Sequence, residues 1–206
     1  MNTDQQQSQL VTARITGAWY LLLAISGMVG FLLLHSRIYV SGDISRTVTN
    51  LGEHETLARI RLLMEFLIVV SQALTAVYFF KLFKDINHFA SWALAAWGMM
   101  NAGLIMISAI AMGGAIKVAN AAQALSEKIV MVQIFDQFIT HAWGMGSLFF
   151  GLWLIPMGYI VVSSQRMPVW LGRILILGGV GYILSAFASY SGFDDAWVGF
   201  LPIPAT

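Results

Sequence analysis

The sequence predicts an all-α, polytopic transmembrane bundle of five spans with a short helix lying at the outer interface. Three observations carry this. Of 206 residues, 58% are hydrophobic and only 10% are charged, where a soluble domain is typically about 25% charged. Mean hydropathy is +0.76, so polar surface is too scarce to cover the chain in water. Runs of roughly 18 or more apolar residues recur, each long enough to cross a hydrocarbon core of about 30 Å as a helix.

The first span is predicted over residues 16–34, starting at Thr16. The polar leader "MNTDQQQSQLVTAR" carries an acid, has no cationic cluster, and is followed by no convincing small-residue cleavage site. The first apolar helix is therefore expected to be retained. A polar stretch over 35–59 follows, in which Asp43 is placed to cap a short helix. Ile44, Val48 and Leu51 share one face of it. Two roles fit that helix: lying on the membrane surface, or covering a pocket as a lid.

The remaining spans are predicted over 60–80, 91–112, 129–162 and 174–190. Residues 116–128 suit a second short helix, with Val118, Ala122 and Leu125 aligned, or an extension of the fourth span. No linker or shift of composition divides the chain, so residues 1–206 are expected to form a single integral membrane domain. Lys and Arg in the loops set orientation. Arg14, Lys81, Lys84, Arg166 and Arg173 fall on one side; Arg37, Arg46, Lys117 and Lys128 fall on the other, with Arg59 and Arg61 at a span edge. This favours a cytoplasmic N-terminus in a cell membrane.

Charged groups within spans are costly and usually face a bundle interior or a cavity. Arg61, Glu65 and Gln72 share one face of the second span, and Arg61 and Glu65 are one turn apart, able to pair. Asn101 lies midway along the third span, where its amide is expected to bond across helices. In the fourth span Gln133, Asp136, Gln137, Thr140, His141, Gly144, Ser147 and Gly151 fall within roughly 140° at 100° per residue. This stripe is expected to face protein or water rather than lipid, and the opposite surface, with Phe138, Ile139, Met145, Phe149 and Leu152, to suit lipid or apolar packing. Gly144 and Gly151 suit close helix approach. Pro156 removes a backbone donor and is expected to bend this helix. Arg61, Glu65, Gln72, Asn101, Asp136 and His141 are thus the candidate pocket residues.

Several chemistries find no support. The chain has no cysteine, which excludes disulfides and thiolate ligands. No HExxH, GxSxG, Walker or dinucleotide-binding pattern occurs. No lysine lies centrally in a span to form a retinal Schiff base. His35, His54, His88 and His141 sit on separate segments, which disfavours a bis-histidine haem pair. A metal on His54, Glu65, Asp136 and His141 has no spacing signal, so no metal site is assigned, and no cofactor is identified. A net charge of +1 gives no reason to expect nucleic acid. Trp19, Trp92, Trp143, Trp170 and Trp197 are candidates for interfacial anchors.

The stretches "ARITGAWYLLLAISGMVG", "SRIYVSGD" and above all "HAWGMGSLFFGLWLIPMGYIVVSSQRMPVWLGRILILGGVGYIL" resemble the bacterial and archaeal membrane proteins of domain-of-unknown-function family 4386. The resemblance spans nearly the whole chain. It implies a small multi-helix membrane fold and no assigned activity, and it draws attention to His141, which sits where the family carries a histidine. Glu65 and Gln72 match more loosely. The family's proteins usually continue past a segment like "FLPIPAT" into a sixth membrane helix, which is not in this sequence.

Three function classes follow. The leading one is an outward-facing polar pocket that binds a small amphiphile or lipid-like ligand, for sensing or transport. The second is an intramembrane enzyme using Glu65, Asp136 and His141 as acid–base groups. The third is an accessory or assembly subunit. Expected partners are membrane lipid, a small amphiphilic ligand, and either a second copy or a partner subunit.

Overall fold

A computed structural model describes residues 3–165 and 167–191. The fold is all-α, with no strand among the described residues. The elements run α1 Thr3–Gly27, a π-helical segment Met28–His35, α2 Ser36–Ile38, α3 Ile44–Glu53, α4 Glu55–Phe83, α5 His88–Ala119, α6 Leu125–Ser164 and α7 Val169–Ser191. Five helical stretches are long and apolar enough to cross a membrane, beginning with Gln6–Ile38. The chain is a multi-pass membrane protein.

The helical stretches outrun their predicted spans, and in α5 the caps show how. The Asn87 side chain accepts from the Ala90 N–H at 2.8 Å and opens α5 three residues early. Asn120 Nδ2 donates to the Ile116 carbonyl, and Lys128 Nζ to the Ala119 carbonyl, both at 2.9 Å. These bonds close α5 and satisfy its last carbonyls. Residues 116–128 are therefore neither a separate helix nor wholly an extension of the fourth span. They divide between the end of α5, a turn, and the start of α6. In α1, Thr12 and Thr16 hydroxyls donate back to the carbonyls of Ser8 and Thr12, so polar residues ahead of the predicted span continue the helix. Helix α6 runs unbroken through Pro156.

The contacts cluster into two compact units. Among the described residues, the first comprises those within 3–20, 72–102 and 144–191; the second comprises 21–71 and 103–143.

In the first unit, α6 and α7 meet backbone to backbone. A Cβ added at Gly151 would stand 2.6 Å from the Gly179 carbonyl, and one at Gly158 would stand 2.5 Å from that of Gly172. The seven-residue spacing on both antiparallel helices puts each glycine opposite a glycine. Gly151 thus does what the stripe predicted, and α7 is the helix it admits. Trp153 is fully buried, its ring 6.0 Å from both Tyr20 and Phe79 and 5.7 Å from Phe150.

In the second unit an apolar cluster joins Val48, Leu51, Ala58, Met112, Ala115, Ile116, Val132 and Ile139. Helix α3 belongs to it. Gly42, at φ +78°, makes the turn that glycine allows cheaply, and Asp43 Oδ1 accepts from the Arg46 N–H at 2.9 Å as the N-cap. The apolar face read from Val48 and Leu51 is pressed against the protein. Asn50 Nδ2 donates to the Ile38 carbonyl, and the Val40 N–H donates to Thr47 Oγ1, both at 3.0 Å. These bonds tie α3 to the end of the first span.

On α6 in this unit the buried seam is aliphatic and the polar stripe is largely exposed. Val132, Ile139 and Ala142 are the buried positions, Asp136 is half-buried, and Gln133, Gln137, Thr140 and His141 are exposed. Ile139, assigned to the opposite surface, is 2% exposed. The core of the unit takes aliphatic volume along the 132–139–142 seam. A helix of 40 residues is about 60 Å long, twice the hydrocarbon thickness of about 30 Å, so part of it extends beyond the hydrocarbon.

Candidate functional site

The second unit holds a buried polar cluster on α4. Arg61 and Glu65 are 1% and 2% exposed, and Nη1 lies 3.0 Å from Oε2. The i,i+4 spacing alone brings them together. Glu65 is held further by the Ser108 hydroxyl, which donates to Oε1 at 2.7 Å. The Trp143 indole donates to Ser108 Oγ at 3.0 Å and approaches Oε1 at 3.4 Å. Three helices thus converge on one carboxylate.

Aromatic rings complete the surround. The Arg61 guanidinium carbon lies 5.8 Å from the Tyr39 ring centroid, a cation–π distance. His35 stacks on Tyr39 at 4.7 Å and on Phe31 at 4.9 Å, with interplanar angles of 14° and 6°. Phe31 reaches Trp143 at 4.5 Å. Contacts therefore run in a closed circuit from Arg61 through Tyr39, His35, Phe31, Trp143, Ser108 and Glu65 back to Arg61. The π-helical segment, whose turns are wider than α-helical ones, carries Phe31 and His35. Tyr39 donates to Met112 Sδ at 3.4 Å. Burial first of all, and then the Asp136 and Glu65 carboxylates, push its phenol above the usual range, against the lowering effect of Arg61. Asp136 therefore belongs to the electrostatic neighbourhood of Arg61 and Tyr39.

The cluster is rich in donors and short of acceptors. The Nη1–Oε2 approach is an ion pair by distance without hydrogen-bond alignment. Arg61 Nε and Nη2, and His35 Nδ1, are buried with no hydrogen-bond partner. A guanidinium stays charged in any protein setting, so these donors cannot be silenced by deprotonation. Most buried polar groups are paired, and an unpaired one calls for an explanation.

Gln72 and Asn101, 1% and 6% exposed, belong to the first unit. Asn101 lies against α6, its Oδ1 3.2 Å from where a Gly146 Cβ would stand. Gln72 Nε2 and Trp153 Nε1 both point to Gly98, 3.4 and 3.3 Å from its virtual Cβ, and neither has a partner. The same unit has an apolar cleft of about 490 Å³ walled by Trp92, Trp97, Leu152, Pro156 and Tyr159. His141 is exposed, whereas Glu65 is sealed in. Among the described residues, no group of three or more His, Cys, Asp or Glu is placed to hold a metal.

Sequence reasoning missed His35, Tyr39, Ser108 and Trp143. The first two read as loop because hydropathy ended the span at Leu34, and Ser108 read as an ordinary span residue. Trp143 was read as a membrane anchor; its indole N–H is spent on Ser108. Trp92 and Trp170 are exposed as anchors would be, and Arg166 and Trp197 lie outside the described residues.

Comparison with known proteins gives a family and no activity. An uncharacterized protein of Archaeoglobus fulgidus is 37% identical over 49 residues, which cover 24% of this chain and 30% of that protein's length. No solved structure matches. A family model, domain of unknown function DUF4386, matches residues 15–206. The resemblance carried by the fourth and fifth spans is thereby shown, and the chain belongs to the DUF4386 family of membrane proteins.

Proposed function

We propose that the protein binds a small amphiphile or lipid-like molecule at the Arg61 cluster, as a sensor or carrier in the cell membrane. The observation behind this reading is Arg61 itself. It is a permanently charged group at 1% exposure whose Nε and Nη2 have no partner. One aligned acceptor from a ligand would relieve two of these groups at once, since a guanidinium presents its donors as a planar fork. The aromatic column of Phe31, His35 and Tyr39 supplies an apolar wall beside it. With a cytoplasmic N-terminus, the end of the first span, α3 and the start of α4 face outward, so the site is reached from outside and α3 is its cover.

Two experiments test the parts separately. The chain is free of cysteine, so Ser45→Cys and Ser164→Cys report sidedness: an impermeant maleimide added outside labels the first and spares the second. The reverse pattern overturns the orientation. Protein extracted in mild detergent is then compared with Arg61→Gln by native mass spectrometry. The wild type retains a bound amphiphile that the variant loses; equal retention sinks the site.

The exposed Gln133, Gln137 and Thr140 of α6 favour a second reading, an accessory subunit or homo-oligomer in which these groups bond to a neighbouring helix. Cross-linking through cysteines at 133 and 137 in membranes separates the two. The acid–base reading asks Glu65 and His141 to act together, and the two differ fully in burial.

A further inference from the structure

Resting on the amphiphile reading above, we infer that the polar end of the ligand is uncharged and presents a carbonyl, ester or hydroxyl oxygen to Nε and Nη2 of Arg61. The geometry narrows the chemistry in three steps. The unpaired atoms of the guanidinium are donors only, so the ligand must bring lone pairs. A cationic headgroup could reach only the unpaired Glu65 Oε2 and would leave both guanidinium donors without an acceptor.

An anionic headgroup meets a second obstacle. The charge of Arg61 is already offset by Glu65 at 3.0 Å. Asp136, half-buried on α6 in the same unit, adds a second carboxylate to the field felt at Tyr39. A ligand carboxylate or phosphate would be a third negative group around one guanidinium, in surroundings that screen poorly. A neutral oxygen accepts the same hydrogen bonds without that repulsion.

The third step concerns the rest of the headgroup. His35 Nδ1, also buried and unpartnered, can donate or accept according to its tautomer. It sits between two stacked rings, Phe31 and Tyr39. A neutral polar group attached to an apolar body matches a donor pair beside a column of rings.

The test uses the full chain, delipidated in detergent at pH 9, and two probes of equal length, methyl dodecanoate and dodecanoate, titrated by calorimetry. The ester is expected to bind at least tenfold more tightly. Glu65→Gln removes the offsetting charge and should erase or reverse that preference. Because Glu65→Gln bears on a buried pair and can impair folding, the half-buried Asp136→Asn provides the second arm and should narrow the ratio two- to threefold. Dodecanoate binding as tightly as the ester in the wild type, or a ratio unchanged in both variants, overturns the inference and leaves the amphiphile reading standing. Binding of neither probe overturns the amphiphile reading and this inference with it.

Discussion

The two units are held together by opposite means. In the first, α6 and α7 approach until glycine faces glycine, and the contact is backbone against backbone. In the second, the helices surround a charged pair and a set of polar and aromatic side chains. Close backbone packing tolerates no added atom and brings no polar side chain into the seam; the unpartnered Gln72 Nε2 and Trp153 Nε1 of that unit lie against Gly98 instead. A buried ion pair tolerates some change of shape but leaves donors that ask for acceptors. The difference teaches where chemistry can reside: a glycine seam can only pack, whereas a guanidinium with unpaired N–H groups can also bind.

Substitutions sharpen the contrast. Arg61→Ala should have the largest effect, about 3–5 kcal/mol, because it strands Glu65 in the core without its cation. The double change Arg61→Met with Glu65→Leu should cost much less, since no charge remains. Thermal unfolding of the three variants in detergent checks this, and a double variant as unstable as the single one would show that Glu65 is not stranded.

Gly151→Val should follow closely, at about 3 kcal/mol, the upper end for overpacking. Its Cβ would meet the Gly179 carbonyl at 2.6 Å and the Tyr182 Cβ at 2.9 Å, and a backbone atom cannot turn aside as a side chain can. Little loss of folded yield would mean that α6 and α7 separate easily.

Ser108→Ala should come next, at about 1.5–3 kcal/mol, the range for a hydrogen bond to a charged partner. It removes the donor to Glu65 and the acceptor of Trp143 together. The emission of Trp143 should shift as its N–H loses that partner, a change that Ser147→Ala should not produce. Ser147 donates to the Gly144 carbonyl within its own helix.

Gly17→Ala and Gly103→Ala should have the smallest effect, one in each unit. Nothing lies within 4 Å of either virtual Cβ, so the added methyl group meets no obstacle. Alanine is the better helix former by roughly 1 kcal/mol. Both variants should be neutral or slightly more stable, and a large loss at either position would reveal a close neighbour on that face.

How much of this was legible in the sequence depends on separation along the chain. The Arg61–Glu65 pair, the Asp43 cap and the Val48–Leu51 face are matters of three or four residues, and a helical projection finds them. Glu65 to Ser108 and Ser108 to Trp143 span 43 and 35 positions, and no local pattern links them. His35 and Tyr39 were hidden for another reason: hydropathy ends the span at Leu34, whereas the helical stretch continues to Ile38. On α6 the polar stripe was legible as a face toward protein or water, and Gln133, Gln137, Thr140 and His141 are exposed. The aliphatic seam of Val132, Ile139 and Ala142 that packs into the core carries no polar mark that a projection would find.

The most direct measurement is an experimental density map of the protein extracted in native lipid nanodiscs, read around Arg61. An elongated non-protein feature is expected there, ending in an acceptor within about 3.2 Å of Nε and Nη2, beside the rings of Tyr39 and His35. Isolated waters there, or protein carbonyls turned in to accept from both nitrogens, would contradict it and leave Arg61 and Glu65 as a structural pair.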